Sequence, residues 1–524
     1  MLLTERDRLT PDARPTGSRA WGIPLVFGLV ATAVAASGSW IPSLWGDEAA
    51  TIMSAERPVG TLVTMLFHVD AVHGLFYLMM HGWIAVFGAS PFSVRLPSAF
   101  AVGLAVAAVT VLAGRRGGPT AAIVAGVVAT VLPRLTYAGE EARSFAASAA
   151  IASWLTVLFV WLIDRRGSQA TPAARRLGWI AYGVLLGLGT WLFLYFATIA
   201  IAHAAVLLAT RAQRPTLRAW AIATGAAFLA ASPLILVAYF ERGQISYLGR
   251  QPTVQPSLLY STWFDNRWVA TAAWALILFG LWTTWRAWRR SRADRTGSPR
   301  PWAQEPSLPL VAAAWLFLPT GSLLLVDLLF PLYTPRYSTF AAPAAALLIA
   351  HGILALSGRV GRGHPRRQLV ATVTVTVLFV AVCVPAYLGQ RGPYSKNDSD
   401  WAEVSAAVGH YARPGDAVVF DDAARPSQRP RLAMHTYPAG FTAVTDPTVK
   451  VPFTANRTWY DSTYTVAHAA ELGRFDGVHR VWALENDIGG KQDTYGLADL
   501  EHLGFTATGL RVHTHRTVLI EYTR

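Results

Sequence analysis

Cysteine is almost absent from this chain of 524 residues: Cys383 stands alone, so no disulfide can close within it. Any exported part must therefore be held by its own core, and Cys383, lying in an apolar run, reads as inert packing. Lysine is nearly as scarce, found only at 396, 450 and 491, and the remaining basic residues are arginines, a bias expected of a GC-rich coding genome. Charged residues make up 15% of the chain against 53% hydrophobic ones, and the mean hydropathy is positive. That balance excludes an ordinary soluble protein and fits a polytopic membrane protein. The net charge of +14 would suggest nucleic acid in a soluble chain. Here arginine is concentrated in short loops between apolar runs, which is the positive-inside bias, so no nucleic-acid partner is expected. No internal repeat is evident, and the basic loop 286–300 is the only low-complexity tract.

What is present is a series of apolar runs. Eleven are expected to span: 21–41, 92–113, 120–132, 144–163, 177–193, 196–210, 219–240, 268–288, 308–330, 337–357 and 369–388. Several are short for a hydrocarbon core that needs about 20 helical residues. The first is too long for a signal-peptide core and no cleavage site follows it, so it reads as an uncleaved span behind a cytoplasmic tail, 1–20. A twelfth run, His73–Gly88, is ambiguous. Counting it as a span would put every later Arg-rich loop outside, against the bias, so it is expected to lie on the outer face as a juxtamembrane helix. The N-terminus is then inside, and the C-terminus outside.

From about residue 389 the texture changes. The stretch DSDWAEVSAAVGHYARPGDAVVFDD reads as an amphipathic helix, a Pro-Gly turn and a strand, and HRVWALEN and RTVLIEYTR read as further strands. The expected architecture is an α-helical polytopic membrane domain over 21–388 and a small extracytoplasmic α/β domain over 389–524.

With this topology the polar residues able to do chemistry gather on the outer side. The first outer loop, 43–91, carries Asp47, Glu48, Glu56, Arg57, His68, Asp70 and His73. YAGEEARSF adds Glu140, Glu141 and Arg143, and LYTPRYSTF adds Tyr333, Arg336 and Tyr337. The loop 241–267 contributes Glu241, Arg242, Tyr247 and Asp265. Inside the runs only His203, Asp327 and His351 stand out, each readable as a hydrogen-bonded packing residue. A proton- or ion-coupled transporter places ionisable groups near the bilayer midplane. A transporter or flippase of lipid-linked saccharides is the non-enzyme alternative.

The order of these landmarks resembles the GT-C glycosyltransferases of the protein O-mannosyltransferase and aminoarabinose-transferase type. WGDEA after the first span, HVDAVHGLFYLMMHGW, FGASPFSVRLPS, EEARSFA and PRYSTFAAPAAALL carry the resemblance over about 21–360. The chain departs from it at DAVHGLF, where many members have His-Pro-Pro-Leu. The C-terminal domain is similar to those appended to cell-envelope transferases of high-GC Gram-positive bacteria. The resemblance implies transfer of a sugar, mannose or a pentose, from a polyprenyl-phosphate donor to a hydroxyl of an envelope glycan, glycolipid or protein, with inversion, at the plasma membrane. It implies that Asp47 is the general base; read locally, the same residue suits a helix N-cap. Glu48 is expected either to contact the acceptor or to serve as a first-turn acid beside the helix dipole. Arg143 is expected on the donor phosphate or paired with Glu140 or Glu141. Arg336 is expected on the phosphate with Tyr337 as a hydrogen-bond donor, or as a headgroup anchor. His73 and Arg57 complete the phosphate candidates, and Arg95 reads as a structural cap. No cofactor is called for. A divalent cation remains open, although the spacing of His68, Asp70 and His73 fits no strong metal signature.

Overall fold

The computed structural model describes residues 19–164, 169–244, 255–293 and 306–524. The N-terminal arginines Arg6, Arg8 and Arg14, the loop residues Arg165 and Arg166, Tyr247, Arg250 and residues 294–300 of the basic loop lie outside the described residues.

The helices of the N-terminal part begin with α1 (Arg19–Ala36), α2 (Gly46–Ala55), α3 (Val59–Leu66), α4 (Gly74–Phe87), α5 (Pro91–Val131), α6 (Pro133–Gly139) and α7 (Phe145–Ile163). Long helices follow at Pro172–Leu192, Ile199–Ala209, Arg214–Phe240, Arg267–Ala293, Leu308–Asp327, Ala342–Gly361 and Pro365–Gln390. Among the described residues, seven helices are long and apolar enough to cross a membrane. The eleven expected runs fall mainly on helices, and the difference lies in how length and polarity are distributed. Trp21–Ala36 and Leu194–Ala209 are shorter apolar helices. Pro172–Leu192 carries Arg175 and Arg176 in its first turns, which lowers its hydropathy. The expected runs 92–113 and 120–132 are two arms of α5, bent at Gly118, whose φ of 70° suits glycine and precedes Pro119. The arms pack back on each other, so that a Cβ on Gly126 would come within 2.8 Å of Thr110. Outward stripes such as Ile222, Leu229 and Leu236, spaced by seven on Arg214–Phe240, are exposed and apolar, as a lipid-facing helix surface requires. The chain is a multi-pass membrane protein.

The His73–Gly88 run does not traverse the bundle. His73, ahead of α4, touches Arg143, and near its other end Trp83 donates from Nε1 to the Ser93 carbonyl at 3.0 Å, at the entry of α5. Both ends of α4 therefore lie at one end of the bundle. The ionisable residues inside the bundle are packing residues. His203 Nδ1 meets the Tyr182 hydroxyl at 2.8 Å, Asp327 accepts from the Leu332 and Tyr333 amides, and His351 Nε2 meets Thr284 Oγ1 at 2.8 Å.

The C-terminal region is an α/β domain. Its sheet is built from β1 (Asp416–Phe420), β2 (Val444–Thr445), β5 (Arg480–Ile488), β7 (Thr506–His513) and β8 (Thr517–Thr523) in the order β2-β1-β5-β8-β7. β6 (Lys491–Gln492) folds back on β5, and β3 (Val449–Val451) pairs β4 (Ser462–Thr463) separately. β1 runs parallel to β2 and β5, while β8 is antiparallel to both β5 and β7. Alternation along the strands divides two cores. Ala417, Val419, Val481, Ala483 and Ile520 face one way, against Ala469 and Leu500. Val418, Phe420, Trp482, Leu484 and Leu519 face the other, against Trp401, Val404 and Val408 of the helix Trp401–Tyr411. This second core also takes in Ala49 and Met53 of α2. The expected helix, Pro-Gly turn and strand of 398–422, and the strands in HRVWALEN and RTVLIEYTR, are all present.

Candidate active site

The helix α2 is wedged between two cores, and its helical period sorts its residues. Ala49 and Met53, four apart, enter the C-terminal domain, while Ile52 and Ala55 enter the cluster formed with Leu62, Phe76 and Tyr77. Thr51 Oγ1 bonds the Ala142 carbonyl at 2.9 Å. Every α2 residue except Asp47 is buried. Trp45, with no side-chain cap bond, holds the N-cap position, so the N-cap alternative for Asp47 is set aside. Asp47 and Glu48 both fall in the first turn, where helix amides favour negative charge.

The adjacent acids point to different places. Glu48 is wholly buried and forms a two-pronged pair with Arg95: Nε to Oε1 at 2.7 Å, and Nη2 to Oε2 at 2.5 Å. It also accepts the Ala142 amide at 3.0 Å. Arg95 donates further to the Ser39 and Pro42 carbonyls at 2.5 and 2.8 Å, tying the α1–α2 connection to α5. Glu48 is thus occupied as a brace and does not face the opening. Arg95 has the structural place expected of it.

Asp47 turns the other way. Its Oδ2 accepts from Arg336 Nη1 at 2.5 Å, and the two side chains keep 22% and 24% of their surface exposed, unlike their buried neighbours. No described residue hydrogen-bonds Asp47 Oδ1. Burial pushes the Asp47 carboxyl up, but the charges of Arg336 and then Arg143 outweigh it and hold it below the ordinary carboxylate range. The Arg336 guanidinium lies over the Trp45 and Phe145 rings, at 5.4 and 5.8 Å from their centroids. Beside it Tyr337 packs with Phe193 and Tyr195 in an aromatic wall.

Behind this pair sits Arg143. It donates from Nη2 to His73 Nε2 at 2.9 Å, and from Nη1 to the Tyr77 hydroxyl at 3.2 Å and the Asp47 carbonyl at 3.4 Å. It pairs with neither Glu140 nor Glu141: Glu140 lies 3.2 Å from Arg391 and 3.5 Å from the buried Lys396. Tyr77 in turn donates to Asp70, whose backbone is in the left-handed region and whose carboxyl is raised by burial despite Arg143. His73 is held well below its ordinary value, first by burial and then by the Arg143 charge, so it accepts from Arg143 as a neutral ring. Two arginines beside one firmly ionised carboxylate, with a second carboxyl that burial raises, leave a site receptive to an anion.

The remaining expected residues lie elsewhere. Arg57 is fully buried and donates to the backbone carbonyls of Asn456, at 2.6 Å, and Thr458 in the C-terminal domain. Burial draws its guanidinium down to about 10. It anchors the segment whose Trp459 side chain approaches Asp70 and whose Tyr460 feels the Asp47 charge. His68 is exposed with Nδ1 on the Thr64 carbonyl, so it does not join Asp70 and His73. Sequence reading left Asp70 without a role beyond metal binding and missed Tyr77, which its spacing of four from His73 on one helical face could have signalled. Trp459 and Tyr460 carry no such signal.

Neither a protein-family model nor a curated protein sequence matches the chain. Solved structures do. ArnT from Cupriavidus metallidurans bound to undecaprenyl phosphate aligns at TM-score 0.60 and 15% identity, over 96% of this chain and 98% of that one. The arabinofuranosyltransferase AftD from Mycobacteria aligns at 0.52 and 16%, over 97% of this chain and 40% of that one. The oligosaccharyltransferase AglB from Archaeoglobus fulgidus, in complex with an inhibitory peptide and a dolichol-phosphate, aligns at 0.50 and 11%, over 89% and 69%. The chain has the GT-C fold of these membrane glycosyltransferases.

Proposed function

We propose that the chain is a membrane glycosyltransferase that moves a sugar, mannose or a pentose, from a polyprenyl-phosphate donor to a hydroxyl of an envelope glycan, glycolipid or protein. The reaction takes place on the extracytoplasmic side of the plasma membrane, where the C-terminal domain also lies. Nucleotide sugars are a cytoplasmic currency, so an outward site needs a lipid-borne donor. Lipid phosphates bound in the ArnT and AglB structures support that class of donor.

The observation that carries the reading is the Asp47–Arg336 pair, half-open above Arg143. An acceptor oxygen attacks the anomeric carbon as the bond to the phosphate oxygen breaks, which inverts the centre. Asp47 Oδ1 takes the acceptor proton, a contribution of roughly 10²–10⁴-fold. Arg336 and Arg143 receive the departing phosphate, each offering a planar fork of donors, and neutral His73 with Tyr77 keeps Arg143 aimed. A phosphate that draws Arg336 off Asp47 removes the larger of the charges that depress the carboxyl, so donor binding makes Asp47 a stronger base. Glu48, through Arg95, is a positioning residue for α2, and Arg57 positions the segment carrying Trp459.

A radiolabel transfer assay in nanodiscs, with a panel of polyprenyl-phosphate sugars and envelope acceptors, tests the reading. Transfer from one donor, lost in Asp47→Asn, is the expected result. Movement of lipid-linked saccharide across the bilayer without transfer to any acceptor would establish the transporter reading instead.

A further inference from the structure

A second group of carboxylates lies in the C-terminal domain, outside the site around Asp47. The parallel ladder of β1 and β5 ends at Phe420 opposite Leu484, and the Asp421 amide extends it to the Leu484 carbonyl at 2.9 Å. Asp421 and Glu485 are therefore brought side by side where the two parallel strands part, a place where α/β sheets bind ligands. The β5–β6 hairpin returns Asp493 to them, its amide on the Asn486 carbonyl at 2.7 Å. One oxygen of each carboxylate lies within 4.8 Å of the others.

Asp421 and Glu485 are wholly buried, yet among the described residues no cation pairs with any of the three. The neighbouring Arg429 and Arg431 turn instead to Asp422, at 3.6 and 3.5 Å. Glu485 Oε2 accepts the Tyr495 amide at 3.1 Å, while Oε1 has no hydrogen-bond partner. Asn486, also buried, gives Nδ2 to Asp421 at 3.1 Å and leaves its carbonyl Oδ1 without a partner. Three carboxylates brought so close repel one another, and burial makes each unpaired charge costly. Protons alone would relieve the repulsion but leave the Asn486 carbonyl unsatisfied; a cation would satisfy both.

We propose that Asp421, Glu485 and Asp493, with the side-chain carbonyl of Asn486, bind one divalent cation of the calcium type. The ligands are all oxygens, which suits a hard cation and not zinc. Ca²⁺ takes several carboxylate and carbonyl oxygens at about 2.3–2.6 Å in flexible geometry. Mg²⁺ at about 2.0–2.1 Å demands a near-ideal octahedron and keeps several waters, so a set of protein oxygens suits Ca²⁺ better. The site reaches α2 through one short segment. Asp421 caps its own turn by accepting the Ala423 and Ala424 amides, and Ser427, six residues on, sits so close to Gly46 that a Cβ there would lie 2.6 Å away. The cation thus pins the root of a segment whose middle closes on the turn bearing Asp47.

The test uses the metal-stripped full chain in nanodiscs and does not depend on sugar transfer. Equilibrium dialysis with radiocalcium should give one Ca²⁺ per chain with a Kd no weaker than about 1 mM, the range of extracellular sites. Asp493→Asn, at a partly exposed position, should weaken binding at least about tenfold, as loss of a charged ligand does, and Glu485→Gln should abolish it. Glu471→Gln, on an exposed helix, should change nothing. Ca²⁺ should also slow amide exchange over 421–429. Binding without slowed exchange would refute the link to α2, and Mg²⁺ or Mn²⁺ binding in place of Ca²⁺ would refute the calcium assignment. No uptake of any of the three, or uptake untouched by Asp493→Asn and Glu485→Gln, overturns the site. In that case a rise in melting temperature on Glu485→Gln in chelator would assign the cluster to shared protons.

Discussion

Replacing the two adjacent acids one at a time should break different properties. Asp47→Asn keeps the volume and one acceptor for Arg336 but removes the base, so transfer should fall by roughly 10²–10⁴-fold, about 2.7–5.4 kcal/mol of transition-state stabilisation. Folding should change little, because Asp47 is about one-fifth exposed and its pair with Arg336 is partly screened. Glu48→Gln is the reverse case. Both partners of the Glu48–Arg95 pair are at 0% exposure, and losing one charge leaves the other uncompensated in the interior. Such a break costs about 3–5 kcal/mol, and the carbonyls of Ser39, Pro42 and Ser43 that still receive Arg95 place it near the lower bound. The assay is paired: melting temperature in nanodiscs, and transfer rate at a temperature where both variants remain folded. Asp47→Asn should melt with the wild type and be inactive, while Glu48→Gln should melt several degrees lower and keep most of its turnover while folded. Wild-type turnover in Asp47→Asn, or an unchanged melting temperature in Glu48→Gln, would refute this division of roles.

Arg336→Ala and Arg143→Ala should each weaken use of the lipid-phosphate donor by about 2–5 kcal/mol, with lysine restoring only part, because the charge returns without the fork. Donor titrations on variants of matched melting temperature check this, and unchanged donor dependence in both would place the phosphate elsewhere. His73 stays neutral in the fold while the unfolded chain binds a proton below about pH 6.5, so stability should fall as pH drops, by at most about 1.4 kcal/mol per pH unit. His73→Gln should flatten that acid slope, and identical slopes in denaturant melts would disprove it. Gly46→Ala should cost about 1–3 kcal/mol by forcing Ser427 away from α2, read as a lower melting temperature together with reduced transfer.

Hydropathy and loop charge by themselves determined a multi-helix membrane part, a short fourth helix that does not cross the bundle and an α/β C-terminal domain, because these patterns repeat every two to four residues or along a single run. Order of landmarks also marked Asp47, Arg143, Arg336 and His73, which the structure brings together. Only the tertiary structure decided which of two neighbouring acids is half-open and which is locked. That choice depends on Arg336, 289 residues from Asp47, and on Arg95, 47 residues from Glu48. It also withdrew Arg57 from the site, since its partners, the carbonyls of Asn456 and Thr458, lie about 400 residues away and backbone acceptors leave no mark in a side-chain pattern. Local periodicity can say that a residue faces a core. It cannot say whose core, and α2 shares itself between the membrane part and the C-terminal domain because Ala49 and Met53 meet one while Ile52 and Ala55 meet the other.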